Sequence, residues 1–272
     1  MAATSDPSFT RRTVLASAGV GAGAAALGGT PALAQTGRPK IFVLVHGAWH
    51  GGWCWRRVAD LLEKQGHKVF TPTLTGVGER SHLMSKDIVL DTHITDLVNV
   101  FKWEDLKDVC LVVHSYGGYP SSGALEQIGD RVSSIIWLDA FKPENGERLL
   151  DVTSEFSRKG LLAAMEKGEP GRPSPKAEAF AVNEKDRAWV DSKTTPQPNG
   201  VALQPIKLTG AREKVAKKTY IRAATYPQPT FDKALAECKA DRTWRTFEAT
   251  GCGHDVMVDK PEWLVEILLQ VS

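Results

Sequence analysis

Six short runs of mainly hydrophobic residues recur along the chain, and helical patterns separate most of them. Five of the runs are apolar or rich in β-branched residues, whereas the sixth alternates between apolar and polar positions. The runs cover residues 40–48, 67–74, 108–115, 132–140, 217–224 and, for the alternating one, 242–250. Apolar strands that alternate with helices are typical of a mostly parallel sheet with helices on both faces. The pattern therefore predicts an α/β fold in which the alternating run is an outer strand.

The alternation of strand and helix patterns is interrupted from about residue 141 to residue 209. The segment is rich in proline, glycine and charge and contains no clear strand. A structureless loop of this length is unusual in a compact domain. We therefore expect an inserted cap with short helices, around EFSRKGLLAAMEK and PKAEAFAVNEKDRAWV.

The first 34 residues have the composition of an export signal. Arg11 and Arg12 precede a mildly apolar stretch rich in alanine and glycine, which ends in the small residues ALA. This order is that of a cleavable signal, and the adjacent arginines favour the twin-arginine type. Cleavage after Ala34 would leave a mature chain of residues 35–272, and we expect it to be periplasmic or secreted and bacterial.

Charge and composition argue against several other classes of protein. Of the 272 residues, 42% are hydrophobic and 24% charged, and the formal net charge of +2 gives no electrostatic case for nucleic-acid binding. The body of the chain has no run of 18 apolar residues, so we expect no stable membrane association once the signal is removed.

The four cysteines of the mature chain are Cys54, Cys110, Cys238 and Cys252. None of them stands in a motif with zinc-ligand spacing, so metal catalysis is disfavoured. Cys238 and Cys252 flank the outer strand and would be the first candidates for a disulfide in an exported protein.

The stretch DVCLVVHSYGGYP suggests a nucleophile. It places Ser115 directly after a buried strand and before a helix, with Gly117 two residues later. A sharp strand-to-helix turn exposes a serine hydroxyl beside a helix N-terminus, as in the pattern G-x-S-x-G. The first glycine of that pattern is replaced by Val113. An ordinary strand-to-helix turn is therefore the alternative for this stretch taken alone.

Two other segments supply the partners that a nucleophilic serine needs. The first strand ends in His46-Gly47-Ala48, and the backbone N–H groups of Ala48 and Tyr116 could stabilise an oxyanion. His254 lies in a glycine-rich loop between the last strand and the last helix, the position of the general base in the chain order Ser…acid…His.

From about residue 40 to residue 271 the chain resembles enzymes of the α/β-hydrolase fold. The resemblance is to the branch that contains plant methyl esterases, hydroxynitrile lyases and bacterial carboxylesterases of the pyrethroid-hydrolase type. The stretches that carry it are VLVHGAWHGGWCW, TPTLTGVGERSH, VVHSYGG, WLDAFKPENGE and GHDVMVDKPEWL. It implies Ser115 as nucleophile, His254 as base, an oxyanion hole from Ala48 and Tyr116, a helical cap and no cofactor.

The resemblance leaves the acid of the triad open. Many relatives place it after the strand that corresponds to KKTYIRAA, where this chain has no acid before Asp232. Asp139 ends the preceding strand, and some α/β hydrolases take their acid from that position. We favour Asp139, keep Asp232 as the alternative and exclude Asp255, because it is the direct neighbour of His254.

The same resemblance separates ester hydrolysis from cyanohydrin cleavage. The lyases carry a threonine where this chain has Gly47 and a lysine where it has Asp255. A lysine there suits the departing cyanide anion, which an aspartate would repel. Both positions favour a serine carboxylesterase that acts on a small-molecule ester through an acyl-enzyme. The pocket is expected to include Gly47, Trp49 and Trp137. A lactonase or amidase, a lyase-like enzyme and a non-catalytic binding protein remain alternatives.

Overall fold

The computed structural model describes residues 38–272, so the predicted export signal lies outside the described residues. The strands are β1 Ile41–Val45, β2 Lys68–Phe70, β3 Val109–His114, β4 Val132–Leu138, β5 Gly171–Arg172, β6 Gln197–Pro198, β7 Lys217–Ala223 and β8 Trp244–Ala249. The α-helices are α1 Arg56–Lys64, α2 Leu90–Trp103, α3 Gly118–Ile128, α4 Leu149–Val152, α5 Glu155–Glu166, α6 Glu184–Lys193, α7 Pro229–Ala240, α8 Val256–Asp259 and α9 Pro261–Val271.

Six of the strands form one sheet in the order β2-β1-β3-β4-β7-β8, and all neighbouring pairs in it are parallel. These are the six runs that the hydrophobic pattern predicted, and the alternating run is the edge strand β8. From β1 the chain adds β2 on one side of the strand and β3 and the later strands on the other, so the strand order reverses between β1 and its neighbour β3. In open α/β sheets, sites form at the carboxyl ends of strands around such a reversal.

Both faces of the sheet are covered, as predicted. Along β1, Val43 and Val45 belong to one hydrophobic core, whereas Phe42 and Leu44 belong to the other. Successive side chains of a strand point to opposite faces, so a strand buried on both faces must be apolar throughout. Helices α2, α3 and α7 contribute to the first core, and α1, α8 and α9 contribute to the second.

The segment predicted as a cap lies between β4 and β7. Helix α5 coincides with the first predicted helix, but the second predicted stretch is divided: a 3₁₀ turn, Ala177–Phe180, is followed by Ala181 in a left-handed conformation and then by α6. The segment also contains the antiparallel pair β5–β6, which the sequence did not reveal. Strands of two residues are too short to produce an alternating pattern.

The candidate pair Cys238 and Cys252 does not form a disulfide in this structure. All four cysteines are free and buried. Cys238 lies in α7 and packs into the core on one face of the sheet, whereas Cys252 packs into the core on the other face. Flanking the same strand in sequence therefore does not bring the two sulfur atoms together. No helix among residues 38–272 has the length and hydropathy that crossing a membrane requires.

Candidate active site

Ser115 lies on a strained turn at the end of β3. Its φ angle is +52°, and a single 3₁₀ turn, Ser115–Gly117, leads directly into α3. A Cβ atom on Gly117 would lie 2.7 Å from the carbonyl oxygen of His46, and one on Gly118 would lie 1.9 Å from that of Phe141. Two glycines are therefore required after the serine, because the backbone of neighbouring loops occupies the space of their side chains.

Val113, the residue that departs from the elbow pattern, lies within β3 before the turn begins. It is fully buried and pairs in register with Val45 of β1 and Trp137 of β4. The valine thus occupies an ordinary strand position in the core. The left-handed conformation that the elbow requires occurs at Ser115 itself.

A chain of hydrogen bonds joins the three residues that sequence reasoning favoured. The hydroxyl of Ser115 lies 2.8 Å from Nε2 of His254, and Nδ1 of His254 lies 2.6 Å from Oδ2 of Asp139. A carboxylate can only accept, so Nδ1 carries the proton and Nε2 is free to accept the Ser115 hydroxyl. These residues come from the loops after β3, β4 and β8, and all three are buried.

Asp139 and its rival Asp232 occupy different places around one arginine. The second oxygen of Asp139, Oδ1, accepts from Nη1 of Arg222 at 2.7 Å and from the backbone N–H of Ala223 at 2.9 Å. Asp232 accepts from Nε of Arg222 at 2.9 Å, and 62% of its side chain is exposed. Asp139 therefore contacts the imidazole, while Asp232 contacts the arginine behind it.

Aromatic rings and the cap segment surround the imidazole of His254. The ring stacks on Tyr226 and Phe231, with centroid distances of 4.6 and 5.6 Å. The backbone N–H of His254 donates to the carbonyl oxygen of Phe180 at 2.9 Å. A Cβ on Gly253 would lie 2.2 Å from the carbonyl oxygen of Ala181. Glycine at 253 thus allows the histidine loop to lie directly against the cap segment.

The loop after β1 lies beside the serine. Ala48 and Tyr116, whose N–H groups were expected to form an oxyanion hole, line the same cavity as Ser115 and His254. His46 is fully buried, and burial lowers its pKa to about 3. Its neutral ring donates from Nδ1 to the carbonyl of Gly47 and accepts at Nε2 from the N–H of Leu74. This histidine therefore fixes the loop rather than acting in proton transfer.

A second buried histidine, His50, was missed by sequence reasoning. Its Nε2 lies 3.0 Å from Oδ2 of Asp255, and its Nδ1 lies 2.8 Å from the carbonyl oxygen of Ala48. Burial favours the neutral ring, but the charge and hydrogen bond of Asp255 outweigh it and raise the pKa of His50. Burial opposes ionisation of Asp255 too, yet His50 lowers its pKa to about 2. The pair links the histidine loop to the Ala48 loop.

The position of Asp255 corrects one argument made from the sequence. Its carboxylate is fully buried and faces His50, and it does not line the cavity that contains Ser115. Repulsion of an anion in the cavity by this aspartate is therefore not a reason against lyase chemistry. The argument from Gly47 gains support, since a Cβ at this position would lie 2.8 Å from the Cβ of Ser115.

The cavity in front of Ser115 has a volume of about 480 Å³. Trp49 lines it, as expected, but Trp137 and Gly47 do not. Trp137 is fully buried in β4 and packs in the core, because its position along the strand turns it toward the helices rather than the strand end. Further wall residues were not foreseen, among them Phe141, Phe156, Arg172, Phe180, Tyr226 and Phe231. Within residues 38–272, no group of three or more His, Cys, Asp or Glu side chains is placed to hold a metal ion.

Comparisons with known proteins agree with this architecture. Residues 42–267 match the family described as the alpha/beta hydrolase family. A carbendazim-hydrolysing esterase of Nocardioides sp. (strain SG-4G) is 40% identical over 237 residues, which are 84% of this chain and 97% of the relative. Norfluorocurarine synthase 1 of Strychnos nux-vomica is 33% identical, over 86% of this chain and 96% of the relative.

A solved structure supports the fold independently. An extracellular α/β-hydrolase of a Paenibacillus species superposes with a TM-score of 0.74 at 23% identity, covering 86% of this chain and 99% of that one. The family match spans most of the chain, and the esterase relative is similar over nearly its whole length. The chain therefore belongs to the α/β-hydrolase family, as its motifs predicted, and is an enzyme of the carboxylesterase type.

Proposed function

We propose that the protein hydrolyses small-molecule carboxylic esters through a Ser115–His254–Asp139 triad and a covalent acyl-enzyme. The observation that carries the proposal is the continuous hydrogen-bond chain from the serine hydroxyl to the buried carboxylate, at 2.8 and 2.6 Å. These distances lie within the range in which a base can take a proton from a nucleophile. The serine and the imidazole also open onto a cavity large enough for a small ester.

The proposed reaction follows from the roles that the geometry allows. Ser115 attacks the acyl carbon while Nε2 of His254 takes its proton, and Asp139 stabilises the imidazolium and holds its orientation. The N–H groups of Ala48 and Tyr116 stabilise the oxyanion of the tetrahedral intermediate. His254 then returns the proton to the leaving alcohol. Water, activated by the same imidazole, releases the acid and restores the free serine.

Covalent labelling of the serine tests this proposal. A fluorophosphonate probe is expected to modify Ser115 of the folded protein, and mass spectrometry of the labelled peptide identifies the site. The Ser115→Ala variant is expected to lose labelling and to hydrolyse p-nitrophenyl acetate with kcat lowered by at least about 10³-fold. Labelling at another residue, or normal turnover by the variant, would exclude Ser115 as the nucleophile.

The same site would also support lactone or amide hydrolysis, since these reactions need the same nucleophile, base and oxyanion donors. A panel of short-chain esters, aryl esters, lactones and anilides separates them. Cyanohydrin cleavage is less well supported, because Gly47 offers no hydroxyl and no space for one. A purely binding function is likewise disfavoured by the hydrogen-bonded triad.

The walls of the cavity favour substrates with an apolar or aromatic portion. Phe141, Phe231 and Tyr226 stand near the serine and the imidazole, and Trp49 lies beside Ala48. Such rings bind apolar groups through buried area. One relative is described as hydrolysing carbendazim, and we propose that this protein also acts on a compact ester-type molecule.

We also propose that residues 1–34 direct twin-arginine export and that the mature enzyme is periplasmic or secreted. The order of the Arg11-Arg12 pair, the mildly apolar stretch and the final ALA supports this proposal. Replacing both arginines with lysine is expected to leave the uncleaved precursor in the cytoplasm. If fractionated cells instead hold the unaltered protein in the cytoplasm with its first residues intact, the proposal fails.

A further inference from the structure

Arg172 is a buried arginine in the wall of the Ser115 cavity. It belongs to β5 of the cap segment, pairs in register with Gln197 of β6, and is 5% exposed. Its guanidinium carbon lies 5.3 Å from the centroid of the Trp49 ring, another residue of the cavity wall. No sequence pattern indicates this residue, because it lies within a polar, proline-rich stretch.

The charge of Arg172 has no partner within the described part of the chain. Nε and Nη1 are buried and make no hydrogen bond, and no carboxylate of residues 38–272 forms an ion pair with the guanidinium. Burial lowers the pKa of Arg172 to about 10, so the side chain remains a cation at neutral pH. Burying an unpaired charge is destabilising unless an acceptor compensates it.

Other buried arginines of the protein are paired. Arg222 binds Asp139 and Asp232, and Arg212 binds Glu213 and the carbonyl oxygen of Pro143. In the cavity wall, the one acidic side chain among the described residues is Glu178, which is mostly exposed and bonds to Arg187 at 3.2 Å. Glu178 therefore does not pair with Arg172, whose Nε and Nη1 find no acceptor. Arg172 thus lines the cavity as a cation without a carboxylate partner among the described residues, and a molecule bound in the cavity can offer it one.

We propose that Arg172 determines specificity by binding an oxygen acceptor of the substrate, preferably a carboxylate, at a position remote from the ester bond. This inference rests on the proposed ester hydrolysis at Ser115. A guanidinium in a dry cavity forms charge-assisted hydrogen bonds with such a group, and the adjacent Trp49 ring holds the guanidinium plane. The preferred substrates would then be monoesters of dicarboxylic acids, whose free carboxylate meets Arg172 while the ester meets Ser115.

Three matched series of ethyl esters test the proposal. They end in a carboxylate, a methyl ketone or an isopropyl group, with two, three or four methylene groups between that end and the ester. The wild-type enzyme is expected to prefer the best carboxylate ester over its isopropyl isostere by roughly 10- to 100-fold in kcat/KM, with the ketone between them. Equal kcat/KM across all three ends would overturn the proposal.

Two variants separate recognition from structure. Arg172→Met is expected to abolish the preference for the carboxylate, leave kcat/KM for the isopropyl ester within about threefold and keep or raise the melting temperature, since it removes an unpaired charge. Arg172→Lys keeps the charge and should retain part of the preference. A parallel loss of activity on all three ends in the methionine variant would show a structural role and refute the inference.

A binding measurement makes failure of this inference distinguishable from failure of the proposed hydrolysis. N-ethylsuccinamate presents the same carboxylate next to an amide, which esterases cleave poorly. Calorimetric binding to Ser115→Ala that is lost in Ser115→Ala/Arg172→Met supports the role of Arg172 even if no ester is turned over. Equal affinity of the two proteins refutes that role even if esters are hydrolysed.

Discussion

Replacing Asp139 with asparagine tests the chemistry of the proposed triad without changing its shape. In the native protein, Oδ1 of Asp139 accepts from the backbone N–H of Ala223 and from Arg222, while Oδ2 accepts from Nδ1 of His254. An asparagine must place its carbonyl oxygen at the Oδ1 position, because an NH₂ group there would face two donors. Its NH₂ group is then forced to face His254.

This orientation dictates the state of the imidazole. Nδ1 of His254 must accept from the asparagine, so the ring proton moves to Nε2. A protonated Nε2 cannot accept the hydroxyl proton of Ser115, and the base is lost. We expect kcat to fall by about 10³- to 10⁴-fold, which corresponds to roughly 4 to 5.5 kcal/mol in the activation free energy.

Asp232→Asn is the matched control, because it makes the same chemical change in the other carboxylate that accepts from Arg222. Asp232 contacts only the far side of Arg222 and is largely exposed, so kcat is expected to change by less than about threefold. Both variants are assayed for hydrolysis of p-nitrophenyl acetate, with melting temperatures as a check on folding. If Asp139→Asn retained activity within tenfold, or if Asp232→Asn lost as much, the assignment of the acid would be wrong.

Two further predictions concern residues near the triad. Val113→Gly removes a fully buried side chain from the middle of the sheet and adds backbone freedom, so we expect the melting temperature to fall by roughly 5–15 °C. The kcat of the folded variant should stay within about threefold, and a tenfold rise would show that the valine tilts Ser115. Asp255→Asn should destabilise the protein by about 3–5 kcal/mol near pH 5, where both members of the buried pair with His50 are charged. Because the pKa of His50 is raised in the folded protein, the stability that its charge contributes is lost as the pH rises through that pKa. Because the pKa of Asp255 is lowered to about 2, the stability that its carboxylate contributes is lost only in strong acid. The difference in melting temperature between the two proteins should therefore shrink on going from about pH 5 to about pH 9, and a constant difference would contradict the ion pair.

The sequence by itself determined the sheet and pointed to two members of the proposed triad. A strand buried on both faces must be apolar throughout, so β1, β3 and β4 were recognisable from composition alone. The elbow at Ser115 was recognisable because the steric demand for glycine falls on its immediate neighbours in the chain. His254 followed from its place after the last strand, since parallel strands bring their carboxyl ends to one edge.

Only the tertiary structure distinguishes the surroundings of the two candidate acids, and the reason is directional. Asp139 and Asp232 both follow strands at the same edge, but Arg222 lies between them and only one carboxylate reaches His254. The direction of a side chain also explains why Trp137, expected in the pocket, does not line it: the side chain packs in the core.

The pairings of His50 and Arg172 were also invisible in the sequence. His50 pairs with Asp255, which is 205 positions away in the sequence. Arg172 has buried donors for which the described residues provide no acceptor. Local sequence patterns reflect steric and burial requirements within a segment, such as apolar residues in a buried strand or glycine beside a tight turn. Which charges meet, and which remain unpaired in a cavity, depends on side chains that only folding brings together.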